Sequence, residues 1–427
     1  MDNVHSHKRF LWVLATAFVL VCALGAGFNY LVDPYGLFGS RRIPGFNELK
    51  PAAAERGRVI KPYMASRAKP RVVIGGNSRP EMGLSPRSTC WKDTDQPVFN
   101  MGIPGAGVFM QTRYVQHAVE SGKAQRVLLG VDFFDFLVDA SQPTGDIDWG
   151  HLGKTFDGRL NLDAKEGRGT PITLQRAKDV LSGLFSLVAL GDSIATITSQ
   201  RDKHAATRHE DGFNPGLDCR PIIRNEGQAV LFSQKNLELR KQLQQDNLGV
   251  LDVHGRQTVP LLAMRRFLDW ADTHGVDVVL FINPYHADYL VQIEMAGKWS
   301  LLENWKRQLA SIAQEHAVPL WDFNAVDQYS TESPPLPKDK QTELDWFWEP
   351  AHYRHELGDL MLASMLDRQC GKDAPPNGIG VEITESTLQR HLAVIRSDLL
   401  QFIEANPQVI KRLSGGGGWE ATPSLHE

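Results

Sequence analysis

Arg71-Val72-Val73-Ile74-Gly75-Gly76-Asn77-Ser78-Arg79 opens with a short apolar run and closes on two glycines and a serine. The run predicts a buried strand, and the glycines predict a tight turn out of it. A serine at such a strand-to-helix corner can expose its hydroxyl. Neighbouring backbone N–H groups and the start of a helix supply positive potential to a developing oxyanion. The same serine can equally be a simple helix cap.

Outward from this stretch, Val98 to Met101, Val127 to Asp132, Val276 to Asn283 and Val318 to Phe323 are further short apolar runs. Between them, residues 107–121, 258–274 and 299–316 have helical spacing. Apolar strands alternating with helices predict an α/β fold, a doubly wound, mostly parallel sheet covered on both faces. Residues 33–69 read as a polar connector, 70–370 as the α/β domain, and about 140–250 as a helical insertion. Within the insertion, 141–171 reads as a long loop, and 174–198 and 233–247 as helices. Residues 371–413 form a helical extension, and 414–427, with four consecutive glycines, a disordered tail.

Phe10 to Leu31 contains no charged residue and follows Lys8 and Arg9. Its length suits a bilayer-crossing helix, and the flanking cations place the amino terminus in the cytoplasm. Residues 1–32 are therefore expected to be a cytoplasmic stub and single-pass signal anchor in a bacterial inner membrane. The main domain would lie in the periplasm or outside. Cleavage near Gly25-Ala26-Gly27 is the alternative. Hydrophobic residues make up 42% of the chain and charged residues 22%, as in globular proteins. A net charge of -4 argues against a nucleic-acid partner. Cys22, Cys90, Cys219 and Cys370 have no C-x-x-C spacing. One disulfide, of unassigned pairing, or free thiols both fit. No metal site and no cofactor are expected.

Ligands of open α/β sheets bind beyond the carboxyl ends of the strands. That rim comprises Asn77, Ser78 and Arg79, then Gly102, Asp132, Asn283, Tyr285 and His286. Late in the chain stands Trp348-Glu349-Pro350-Ala351-His352. A carboxylate and an imidazole at this spacing can share one side of a turn. The histidine would take a serine proton, and the carboxylate would orient the ring.

This order, serine early and acid-x-x-histidine late, resembles the SGNH/GDSL hydrolase superfamily. More narrowly it resembles the membrane-anchored envelope proteins of alginate O-acetylation and lipoteichoic-acid D-alanylation. The resemblance runs from about Asp33 to Leu362. It rests on residues 73–79, Phe99-Asn100-Met101-Gly102, the stretch 129–134 and Glu349-Pro350-Ala351-His352. It implies a flavodoxin-like three-layer fold, with Ser78 as nucleophile, His352 as base and Glu349 as the orienting acid. The N–H groups of Ser78 and Gly102 would form an oxyanion hole. It implies a membrane-bound O-acyltransferase partner and an acylated envelope polysaccharide as substrate. Two positions depart from the pattern. Glu349 stands where the family usually has Asp, and Asp132 falls nearest its Asn oxyanion donor, so Asn77 or Asn100 is the expected substitute. A serine esterase or O-acetyltransferase is the first reading; a non-catalytic assembly or glycan-binding protein is the second.

Overall fold

The computed structural model describes residues 2–162, 172–202, 205–370, 375 and 378–415. Ten strands are present among them. They are β1 (Val72–Gly75), β2 (Val98–Asn100), β3 (Arg126–Val131), β4 (Val138–Asp139), β5 (Leu248–Gly249), β6 (Asp277–Ile282), β7 (Leu320–Asp322), β8 (Phe347–Glu349), β9 (His352–Tyr353) and β10 (Val381–Glu382). A six-stranded sheet has the order β10-β7-β6-β3-β1-β2. Every neighbouring pair in it is parallel except β10 with β7. The chain crosses over after β1 and again after β2, so the carboxyl ends of β1, β2, β3 and β6 share one rim.

Side chains alternate across this sheet, as the two-residue period of a strand requires. Val73, Val127, Leu129, Val278 and Leu280 enter one core, which the helices Val108–Gly122, Val259–His274 and Trp299–Glu315 cover. Val72, Ile74, Leu128, Val279 and Phe281 enter a second core, under the helix His355–Met365. This double burial explains why β1 and β6 are apolar without alternation.

Four boundaries differ from the sequence reading. Residues 33–69 are not a mere connector. The helices Pro51–Glu55 and Gly57–Ala68 belong to the domain, and Ile60, Met64 and Ala65 sit in its main core. Their apolar face was masked by Lys61, which is itself buried against Glu81 at 2.8 Å. Residues 174–198 are two helices, Ile172–Phe185 and Leu187–Thr198, bent by 60° at Ser186. Ser186 caps the second by accepting the Ala189 N–H. The helix expected at 233–247 runs Gln228–Leu243, and residues 149–153 form a helical turn inside the expected long loop. The tail beyond Gly415 and residues 163–171 lie outside the described residues.

The amino-terminal helix Asp2–Val32 contains a stretch long and apolar enough to cross a membrane. Asp33 ends it, and its carboxylate accepts the N–H groups of Phe38, Gly39 and Ser40. Cys90 and Cys370 form a disulfide across 280 residues, leaving Cys22 and Cys219 as free thiols.

Candidate functional site

Three successive features place Ser78 at the rim. Strand β1 ends at Gly75, Gly76 turns the chain with φ +128°, and a short helix begins at Ser78. Only glycine tolerates this turn, because a Cβ at Gly76 would lie 2.6 Å from Pro80 Cγ and 2.7 Å from the Gly130 carbonyl. Asn77 is the helix cap, and its Oδ1 accepts the Arg79 N–H at 2.9 Å. Ser78 is thereby relieved of capping and its hydroxyl turns elsewhere. Beneath it, Glu81 is wholly buried and neutralised by Lys61 and by Arg208 at 2.7 Å. This ion triad clamps the short helix to the residues after the amino-terminal helix and to the insertion.

The partner arrives on the hairpin of β8 and β9, in which Glu349 pairs with His352. Pro350 and Ala351 form the turn, so both functional groups fall on one side. Ser78 Oγ lies 2.7 Å from His352 Nε2. His352 Nδ1 is hydrogen-bonded to Glu349 Oε1, and Glu349 Oε2 accepts the Ala351 N–H at 2.7 Å. Burial alone would raise the Glu349 carboxyl. The adjacent imidazole and the Ala351 N–H outweigh that and hold it below the usual carboxylate range. Ser78 and His352 are both partly exposed, whereas Glu349 is buried. The arrangement has the connectivity of a nucleophile, base and orienting acid.

The expected oxyanion groups are corrected by the structure. The Gly102 N–H is already committed to Asn100 Oδ1 at 3.0 Å. Asn100 spends its amide on the Pro80 and Leu84 carbonyls, at 2.8 and 2.9 Å, where it braces the Ser78 helix. Asn77 donates to Asp135 at 2.9 Å. Asn100 and Gly102 thus have no donor left for a substrate, whereas Asn77 has used one of its two amide hydrogens. Among the described residues, the Ser78 N–H itself makes no hydrogen bond.

Asp132 does not confront the oxyanion position either. Its carboxylate is buried, 2.9 Å from Arg79 and 2.8 Å from the Tyr285 hydroxyl. Arg79 also donates to Tyr289 at 2.8 Å and lies over the Tyr285 ring. Burial opposes the Arg79 charge, but Asp132 more than offsets it, so Arg79 holds its proton more tightly than usual. Arg79, Asp132 and Tyr285 thus form a buried network under the rim, in which, among the described residues, the Arg79 Nε alone lacks a partner. His286 is also buried, between the Glu332 carbonyl and the Asp288 N–H. It caps the helix Ala287–Met295.

Sequence reasoning missed Asp135. Its Oδ2 accepts from Asn77 at 2.9 Å and from Gln111 at 2.7 Å. Burial, and then the Asp132 charge, push its carboxyl well above the ordinary range. The available signal was an aspartate within Phe133-Phe134-Asp135-Phe136, an apolar setting in which a carboxylate needs partners. Sequence reasoning also missed the packing behind β8. There Gly216 sits so close that a Cβ would lie 2.8 Å from Trp348 Nε1 and 3.0 Å from Met82 Cε. Gly191-Asp192-Ser193 lies within the helix Leu187–Thr198, remote from any strand end, and Ser193 bonds Asn29 at 2.8 Å.

No protein-family profile and no curated protein sequence matches the chain. Among the described residues, no group of His, Cys, Asp and Glu is arranged to hold a metal ion.

Proposed function

We propose that the protein is a serine-dependent acyl-transfer enzyme of SGNH type, anchored in a bacterial inner membrane with its domain in the periplasm. The observation that carries this reading is the continuous Ser78–His352–Glu349 hydrogen-bonded chain at the strand-end rim. Ser78 attacks an acyl ester carbonyl as His352 Nε2 takes its proton. The alcohol leaves with that proton, and a second alcohol or water, deprotonated by His352, releases the acyl group. With this parallel strand order, a flavodoxin-like sheet suits the same family. The Cys90–Cys370 disulfide suits an oxidising compartment. An envelope polysaccharide as acceptor and a membrane-bound O-acyltransferase as acyl source complete the proposal.

One observation favours a second reading, a non-catalytic glycan-binding or assembly protein. The Asn100 amide and the Gly102 N–H are committed, and Asn77 is held by Asp135 through one of its two amide hydrogens. Loss of one oxyanion donor costs roughly 10²–10³ in rate, so the enzyme is expected to be slow. Fluorophosphonate labelling of the full chain separates the readings. Labelling that requires both Ser78 and His352, with acetyl-ester turnover in parallel, is expected. A folded wild type that neither labels nor turns over would move the assignment to a binding role.

A further inference from the structure

The helices Ile172–Phe185 and Leu187–Thr198 turn most of their large apolar side chains away from the protein. In the second, Leu187, Val188, Gly191, Ile194 and Ala195 recur at helical spacing and are exposed, Leu187 to 83%. Its buried face carries the small Ala189 and the hydroxyls of Ser193 and Thr196, at 0%, 0% and 1% exposure, beside Asp192. Leu174, Leu181 and Phe185 are exposed on the first helix, with Lys178 as the exposed charge among them. A water-facing surface helix has the opposite polarity. An apolar patch of this kind marks an interaction surface.

The occupant follows from what the pair packs against. Both helices contact the amino-terminal helix, on which Cys22, Gly25, Ala26 and Asn29 form one partly or fully buried face. Asn29 ties all three together, donating to the Leu184 carbonyl and accepting from Ser193, each at 2.8 Å. At 1.5 Å per residue, Cys22 lies ~13 Å below the end of the span at Leu31. The contact therefore reaches well into the half of a ~30 Å hydrocarbon layer from which the domain emerges. The apolar surface of the span continues directly onto the pair. At 14 and 12 residues, neither helix crosses a bilayer alone, and the 60° bend places Phe185, Leu187 and Val188 at the tip.

We infer that this helix pair is a second membrane element, embedded in one leaflet beside the anchor, its outward face covered by lipid acyl chains. It would hold the domain at a set height and tilt over the bilayer, which a lone helix cannot do. The inference rests on the amino-terminal helix spanning the membrane.

The test uses the full chain in phosphatidylethanolamine–phosphatidylglycerol nanodiscs, with Cys22→Ala and Cys219→Ala. Single nitroxides are placed at Leu181, Leu187 or Ile194, with Val19 as the mid-span reference and Gln314 as the aqueous one. The expected result is an oxygen-over-nickel-chelate accessibility ratio at the three positions severalfold above that at Gln314, approaching that at Val19. Nickel-favoured labels at Leu187 and Ile194, with Val19 oxygen-favoured, would overturn the inference while leaving the anchor intact. Labels shielded from both reagents would overturn it in favour of a protein partner. A nickel-favoured Val19 would remove the anchor and this inference together.

Discussion

Replacing Glu349 by glutamine separates the two tasks of that carboxylate. One oxygen holds His352 Nδ1 and the other accepts the Ala351 N–H at 2.7 Å. An amide has one acceptor and one donor end, so it can satisfy only one of them. If its oxygen stays on His352, two donors meet at Ala351, and an unsatisfied buried N–H costs about 1–3 kcal/mol. If the amide turns over, its NH2 meets Nδ1 and forces the proton onto Nε2. That nitrogen lies 2.7 Å from Ser78 Oγ and, in the proposed mechanism, accepts the serine proton, so the wrong tautomer would disable it. In triads of this kind the loss is roughly 10⁴ in kcat, or ~5.4 kcal/mol of barrier. The assay is the second-order rate of fluorophosphonate labelling, read beside a denaturation curve. Glu349→Gln is expected to label 10³–10⁴-fold more slowly (roughly the tautomer penalty) or to lose about 1–3 kcal/mol of stability. A variant within tenfold of the wild-type labelling rate and of unchanged stability would refute this account of the site.

Three further outcomes follow from the same geometry. Gly76→Ala combines a Cβ at 2.6–2.7 Å from fixed atoms with a positive φ. It should cost at least about 2 kcal/mol and lower labelling, measured by denaturation and probe kinetics. Asp135→Asn keeps an acceptor for Asn77 and Gln111 but carries no charge beside Asp132. Because the folded-state pKa of Asp135 is raised, the folded wild type binds more protons than the unfolded chain above the ordinary carboxylate value of about 4. Its stability therefore falls as pH rises through that window, and the variant should gain relative to wild type from pH 4 to 8; a constant difference would argue against a raised Asp135. Replacing Cys90 and Cys370 by alanine should lower stability by about 2–5 kcal/mol, seen as a lower denaturation midpoint under non-reducing conditions.

The strands were legible because their chemistry is local: Val72-Val73-Ile74 and the run through Ile282 read as doubly buried on apolarity alone. Ser78, Glu349 and His352 were legible as a set through their order and spacing. The oxyanion groups were not. The fates of Asn77, Asn100 and Gly102 depend on which carbonyl or carboxylate lies within reach, and that is settled by contacts over long sequence separations. The fate of Asp132 was hidden for the same reason, since Tyr285 and Arg79 approach it from different elements. Lys61 misled the reading of residues 33–69, because a charge on a helix signals solvent unless its partner is known. On the helix pair after residue 172, apolar periodicity identified helices but not which face turned inward.

The Cys90–Cys370 bond has a consequence for the chain's tolerance of proteolytic nicking. Ser78 precedes the first cysteine, and both Glu349 and His352 precede the second. A cut anywhere in the long segment between Cys90 and Glu349, including the whole insertion, separates Ser78 from His352 in sequence but not in covalent connection. The two pieces stay bolted together, and the carboxyl-terminal piece remains attached to the fragment that bears the amino-terminal helix. Cleavage would be visible only after reduction, as two bands from what otherwise migrates as one molecule.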